Sequence, residues 1–411
     1  MTKRVVITGI GAITSVGLDM PSTWAALLEG KSGAGPITLF DASQFDVQFA
    51  AEIKNFEPLN YMDRKTARRS DRVVQIALAA TAEALRQAGL EITDEIADDV
   101  GVIVGTGIGG EKTHYDQISI LLERGPRRVS SFALARILPD MPAGQISISY
   151  GPRGPNHSVS SACATGADSL GEAFEIIRRG DALAVIAGGT ESCLAPSALA
   201  AFDRSGVLAH YDGDPREACR PFDATRNGLL MGEGAVILIL EDLDFARRRG
   251  AKPLAELVGY GATADAFHIS APSEEGMGAA KAIWRALRKA GLEPEDIDYI
   301  HAHGTGTRLN DHLETLAVKH AFGEHAYRLP LSSTKSMTGH MMGAAGAIGA
   351  AVAVMAIREN KIPPTINLHT PDPECDLDYV PNRARETPVR AAMVNAFGFG
   401  GHNAVLVIKE M

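Results

Sequence analysis

An order of segments that occurs twice constrains this chain more than any single motif. In the first half, a helical stretch ending Ala88-Gly89-Leu90 leads through an acidic loop and a strand to Gly105-Thr106-Gly107. In the second, a stretch ending Ala290-Gly291-Leu292 leads through a similar loop to Gly304-Thr305-Gly306. Each half then opens a helix, from Ser160-Ser161-Ala162-Cys163-Ala164-Thr165-Gly166 in one and Ser332-Ser333-Thr334-Lys335-Ser336-Met337-Thr338-Gly339-His340 in the other. Each closes on a Gly-rich strand exit, Ala187-Gly188-Gly189 and Gly398-Phe399-Gly400-Gly401. Self-similarity at long period marks a repeated structural unit, so the chain divides into halves near 1–250 and 251–411. Chance likeness among Gly- and Ala-rich segments is the bland alternative. Short β-branched runs (Arg4–Thr8, Val100–Val104, Leu183–Ala187, Ala404–Ile408) alternate with amphipathic helical stretches, the pattern of an α/β protein with parallel strands buried on both faces.

With 411 residues, 45% of them apolar, the chain has material for a large core. A formal charge of −10 provides no global basic field for nucleic acid or an anionic membrane. The four cysteines, Cys163, Cys193, Cys219 and Cys375, are too sparse for a disulfide scaffold, and the N-terminus enters a strand without a signal-peptide layout. A reducing, cytoplasmic compartment is the expectation. The longest uncharged run, Met341 to Ile357, is rich in Gly and Ala and shorter than the roughly 20 strongly apolar residues of a spanning helix. It reads as a buried helix packed through small residues.

Three tempting motifs fail on spacing. Gly30-Lys31-Ser32 resembles the end of a phosphate loop, but Ala25 stands where the first glycine is required. Gly105, Gly107 and Gly110 satisfy G-x-G-x-x-G after a strand, yet no acidic strand end follows at the distance a dinucleotide fold needs. His301 and His303, two apart on a strand, point to one face, but Asp311-His312 does not fall at the spacing of a third metal ligand.

Cys163 is the strongest single signal. Its neighbours Ala162, Ala164 and Gly166 suit a sharp strand-to-helix turn, and a helix N-terminus favours thiolate. A small buried hydrophobe suffices for Cys193, Cys219 and Cys375. In the duplicated frame His303 ends one strand of the second half and His340 opens the helix matching that of Cys163. A pseudo-twofold axis relating the halves then brings a thiol and two imidazoles into one pocket.

These segments, together with His301-Ala302-His303-Gly304-Thr305-Gly306-Thr307 and Asn395-Ala396-Phe397-Gly398-Phe399-Gly400-Gly401-His402-Asn403, resemble the motif set of the β-ketoacyl-[acyl-carrier-protein] synthases, most closely the elongating type II (synthase II) group. The resemblance covers essentially the whole chain. It implies a thiolase-like five-layer αβαβα fold, a homodimer, and no metal or organic cofactor consumed in catalysis. It also implies an acyl chain transferred from the phosphopantetheine of an acyl carrier protein to Cys163. Malonyl carrier protein would then be decarboxylated with His303 and His340 as donors to the enolate oxygen, in two-carbon elongation of fatty-acid biosynthesis. The backbone N–H groups of Cys163 and Phe399 would form the oxyanion hole, with Lys335 supporting the site electrostatically. Thr305, Thr307 and Ser270 would line the pantetheine tunnel, while Ile108, Phe202 and a gate-like Phe399 bound the acyl pocket. Lys65, Arg68 and Arg69, at i, i+3 and i+4, place three cations on one helical face, which in this family docks the acidic carrier.

Several positions depart from the family pattern. Gly349 stands where a glutamate commonly partners the active-site lysine, Gly206 where a basic carrier-contacting residue is common, and Arg308 and His312 are unusual after His303. Ser131-Phe132-Ala133-Leu134-Ala135-Arg136 replaces an apolar, Pro-containing stretch beside the acyl pocket. A ketosynthase subunit of a type II polyketide or polyene system is therefore the alternative reading. A thiolase completes its site with a second cysteine, where this chain has Phe399, and a non-catalytic chain-length subunit lacks the nucleophile that Cys163 supplies.

Overall fold

The computed structural model describes residues 3–411. Ten strands form one sheet. The first half supplies β1 (Val5–Thr14), β2 (Val100–Gly105), β3 (Asn156–His157), β4 (Ala184–Glu191) and β5 (Gly234–Asp242). The second supplies β6 (Ala255–Ala264), β7 (Tyr299–His301), β8 (Leu331–Ser332), β9 (Ala391–Gly398) and β10 (His402–Lys409). Their order is β8-β7-β9-β10-β6-β1-β5-β4-β2-β3, so the second five repeat the arrangement of the first about the seam where β1 and β6 meet. That seam is antiparallel and short, joining Val5, Val6 and Ile7 to Leu257, Glu256 and Ala255. The sheet is mixed, with antiparallel strands beside the expected parallel ones. The outer strands β2, β3, β4 and β7, β8, β9 pair in parallel, but β5 and β10 run against both neighbours. For β10 the reason is local: β9 returns through the tight turn Phe399–Gly401, too short for the crossover a parallel neighbour needs.

Six helices complete the duplicated frame: α1 (Arg72–Ala88), α2 (Glu111–Arg124), α3 (Thr165–Arg179), α4 (Met277–Ala290), α5 (Arg308–Phe322) and α6 (Ala345–Glu359). Side chains alternating along each strand divide the apolar residues among three cores. Val185 and Ala187 of β4, with Val394 and Leu406 from the other half, enclose α3 and α6 in a central core. Ala184 and Ile186 point the other way, onto α1, while Met393 and Val405 face α4. Helix, one half of the sheet, paired central helices, the other half of the sheet, helix: the five-layer thiolase-like fold follows from this partition. The uncharged run starting at Met341 forms α6, which is apolar on all sides because a sheet lies against each face.

β1 runs on to Thr14, well past the expected end at Thr8, because its glycines admit a helix instead of breaking the strand. A Cβ on Gly9 or Gly11 would fall 2.2 Å from the Ala84 carbonyl oxygen or 1.9 Å from that of Ala80, both on α1. β6 repeats the device: Gly259 and Gly261 lie equally tight against Ala286 and Ala282 of α4.

Candidate active site

The pseudo-twofold axis passes between the starts of α3 and α6. A Cβ on Gly166 would sit 2.7 Å from the backbone nitrogen of Ala347, and one on Gly346 would sit 2.4 Å from that of Ala167, a reciprocal contact that only small residues permit. Each helix is entered through a turn of 3₁₀ helix, Ala162–Ala164 or Met342–Ala344. The first residue of each turn holds a left-handed backbone, φ 51° at Ala162 and 40° at Met342, which costs a residue bearing a Cβ about 1–3 kcal/mol. In this frame Gly343 matches Cys163. His340 lies three residues before Gly343, ahead of the turn, so it does not itself open the matching helix as expected.

The strained turn carries Cys163 into a cavity of about 450 Å³, whose wall also includes His303, His340, Phe399 and Phe202. The imidazoles of His303 and His340 meet nearly edge to face, with ring centres 5.5 Å apart at 83°. His340 Nδ1 accepts the backbone N–H of Met342 at 3.0 Å. Its proton therefore resides on Nε2, which is buried without a protein partner. Burial holds both imidazoles well below the ordinary histidine range, reinforced by Lys335 nearby, so both are neutral at physiological pH.

Burial likewise pushes the Cys163 thiol up to about 12; Lys335 and the backbone N–H groups of Phe399 and Cys163 itself oppose that rise. The resting group is a thiol. The thiolate expected from the helix N-terminus is outweighed by desolvation, although the donors that would stabilise it are in place. Gly398 allows this approach, since a Cβ there would lie 3.1 Å from the Cys163 nitrogen and 2.6 Å from the Ser161 carbonyl oxygen.

Three buried carboxylates that the sequence did not single out shape these loops. Glu191, at the end of β4, accepts from Thr106 Oγ1 and Gly107 N, each at 2.8 Å, and from Gly343 N at 3.0 Å, tying the exit of β2 to the turn before α6. Glu314 accepts from the backbone of His303 and Gly304 at 2.8 and 2.7 Å and from Asn395 Nδ2 at 3.0 Å. Asp311 takes Thr305, Gly306 and Phe222 N–H groups. Asp311 and Glu314 share a face of α5 at i, i+3, the one spacing signal that offered them.

Thr305, Thr307 and Ser270 lie along the same cavity toward its mouth, the two threonine hydroxyls 3.0 Å apart. Lys335 is buried behind the wall instead of on it, and burial draws its ammonium down to about 8. Ile108 does not line this cavity; it faces a neighbouring groove that shares Phe202. His301 also parts from the expectation. β7 stops at His301, so strand alternation does not carry on to His303, and the His301 ring turns to Thr334 Oγ1 at 2.9 Å. Lys65, Arg68 and Arg69 are exposed on the short helix Arg64–Arg69, with Arg69 placed 4.6 Å over the Phe132 ring.

Comparisons with known proteins agree with this architecture. The family described as "Beta-ketoacyl synthase, N-terminal domain" matches residues 2–246, and "Beta-ketoacyl synthase, C-terminal domain" matches residues 254–369. The 3-oxoacyl-[acyl-carrier-protein] synthase 2 of Synechocystis sp. is 49% identical over 99% of this chain and 98% of its own length; that of Staphylococcus aureus is 50% identical with the same coverage. Among solved structures, the ishigamide ketosynthase/chain length factor superposes with a TM-score of 0.93 at 38% identity, covering 100% of both chains. A type II polyketide ketosynthase in complex with its acyl-carrier protein gives the same TM-score and coverage at 31% identity. The likeness extends through both halves and the seam between them, and the chain belongs to the β-ketoacyl synthase family.

Proposed function

We propose that the protein is a 3-oxoacyl-[acyl-carrier-protein] synthase that extends an acyl chain by two carbons in fatty-acid biosynthesis. In the first half-reaction the Cys163 sulfur attacks the thioester of an acyl carrier protein; the new thioester forms, the pantetheine thiol leaves, and it takes up the proton that Cys163 loses. In the second, malonyl carrier protein loses CO2 and the resulting enolate carbon attacks the Cys163 thioester. Collapse of the tetrahedral intermediate releases 3-oxoacyl carrier protein and the thiolate. His303 and His340 donate to the enolate oxygen, and the N–H groups of Cys163 and Phe399 receive the tetrahedral oxyanion. Lys335, charged at neutral pH, favours both anions from behind the wall. Thr305, Thr307 and Ser270 hold the pantetheine arm, and on this reading no metal or organic cofactor takes part.

The observation that carries the reading is His340 Nε2, a buried N–H without a protein partner in the cavity wall shared with His303 and Cys163. A neutral imidazole so placed suits an acceptor that becomes anionic during the reaction. The test separates the half-reactions. His303→Ala or His340→Ala should lower malonyl decarboxylation by about 10²-fold or more, the scale of losing one oxyanion donor, with a smaller effect on acyl transfer to Cys163. Equal loss of both would refute this division of labour.

A second copy of the chain is the proposed partner for the apolar surface of Ile118, Leu121, Leu122, Leu134 and Ile148, all exposed in the single chain. Sedimentation should give twice the mass of one chain. The likeness to a type II polyketide ketosynthase and to the ishigamide ketosynthase/chain length factor favours one second reading, a ketosynthase working with a related partner chain. Extension only of poly-β-keto or polyene carriers, with none of saturated acyl carriers, would select it.

A further inference from the structure

His301 is a buried titratable side chain beside the site that the condensation does not use. Its ring is almost wholly enclosed, Nε2 is tied to the Thr334 hydroxyl at 2.9 Å, and Nδ1 has no partner. The space into which Nδ1 points belongs to Gly349 on α6: a Cβ there would fall 2.8 Å from Nδ1, 3.3 Å from the ring carbon Cε1 and 2.6 Å from Val394 Cγ1. Glycine at 349 and histidine at 301 therefore accommodate each other. Thr334 is the residue immediately before Lys335, and its carbonyl accepts the N–H groups of Met337 and Thr338, which close the short helix Lys335–Thr338. A buried polar atom left unpaired is uncommon enough to require a reason.

We propose that His301 is a positioning residue for Lys335: its ring fills the space beside Gly349 and, through the Thr334 hydroxyl, fixes the start of the helix that carries the lysine, keeping α6 free of charge at that level. The inference rests on the condensing reading above. The groups that bear on Lys335 are the carboxylates Glu314 and Asp311 from α5, the thiols Cys163 and Cys219, and the imidazoles of His301, His303 and His340. None comes from α6. With burial drawing the ammonium down to about 8 and His301 itself down to about 3, a neutral ring sits where a side chain from 349 would project.

The test follows malonyl carrier decarboxylation by the full-length protein from pH 6 to 10. Activity of the parent should fall on an alkaline limb near 8. In His301→Asn/Gly349→Glu a carboxylate replaces the ring, and the limb should move upward by about one unit or more, because an opposite charge nearby favours the ammonium. Gly349→Glu alone meets the ring and should melt at a lower temperature than the double variant. His301→Asn alone should lower kcat with little change in KM and leave the limb in place. A folded double variant with the parental limb, or a Gly349→Glu protein as stable as the parent, overturns the proposal. Nitrogen NMR of 15N-histidine-labelled parent decides even where the variants do not fold. The His301 nitrogens should remain those of a neutral ring from pH 5 to 9, and protonation in that range overturns the proposal. Absence of decarboxylation in the parent at every pH would instead count against the condensing reading on which this rests.

Discussion

Cys163 lies between two opposed buried charges, and that balance makes its ionisation testable. Lys335 lowers its pKa and Glu191 raises it, both within a burial that dominates. Alkylation by iodoacetamide consumes thiolate, so its rate at a fixed pH below the thiol pKa tracks the thiolate fraction. Lys335→Met removes the favourable cation and should slow alkylation; Glu191→Gln removes the unfavourable anion and should speed it. Glu191→Gln should lower the melting temperature only modestly: Gly107 N and Gly343 N share the one oxygen Oε2, which the amide carbonyl can replace, while the NH2 meets the Thr106 hydroxyl and confronts only the Ile108 N–H, 3.4 Å away. Alkylation shifting in the same direction in both variants would contradict the electrostatic picture. Cys163→Ala should abolish both alkylation at the site and acyl loading. The meeting of Cys163, His303 and His340 on one cavity was legible in the sequence because each stands in a motif of its own in the duplicated frame. Glu191 was not, because it works through backbone N–H groups from distant segments, one of them 152 residues away, and no local spacing reveals that.

At the scale of elements, the sequence conveyed which segments are strands but not how far they extend. Gly9 and Gly11 read as punctuation that ends β1 early, whereas the strand continues through them because α1 lies too close for any side chain. The same spacing recurs in Gly259 and Gly261 of β6, a second copy of the device that lies outside the motifs around Cys163 and His303. His301 is the converse case. Strand alternation placed it beside His303, and the end of β7 separated them. Close helix-to-strand packing predicts a large asymmetry among glycine substitutions. Gly11→Ala puts a methyl group 1.9 Å from the Ala80 carbonyl oxygen and should cost about 3 kcal/mol or more, as overpacking of a rigid core does. Gly144→Ala, in the helix Met141–Tyr150 with nothing within 4 Å of its Cβ position, should stabilise by about 0.5–1 kcal/mol. Denaturant midpoints measure both. A Gly11→Ala protein as stable as the parent would mean that α1 can retreat from the sheet, contrary to a frame in which both halves use the same tight contact.

For the whole molecule, the duplication explains why a pocket exists at this place. Helix starts related by the pseudo-twofold axis converge, and the copies differ there, with a cysteine on one and glycine on the other, Cys163 and Gly343. The two halves contribute different chemistry to one cavity, but the cavity reaches solvent through a mouth that must also admit a substrate tethered to a folded carrier. On the proposed docking, the exposed helix Arg64–Arg69 would offer the charge for that encounter in a chain of net charge −10. Lys65 and Arg68 have no carboxylate within salt-bridge distance among the described residues, whereas Arg69 is also engaged with Phe132, so its reversal removes a packing contact as well as a charge. Lys65→Glu/Arg68→Glu is therefore the cleaner variant. It should lower kcat/KM for an acidic acyl carrier protein by about tenfold at low salt, because like charges then oppose each other across the contact and slow association. The deficit should narrow as salt rises, since screening over about 8 Å at physiological ionic strength removes the long-range part. An acyl-pantetheine brings no folded, charged partner, so its turnover should stay within about twofold of the parent. The decisive quantity is the ratio of the two specificity constants. If carrier-bound and small substrates lose activity together, the patch serves folding or assembly of the protein, and carrier docking must be sought on another face.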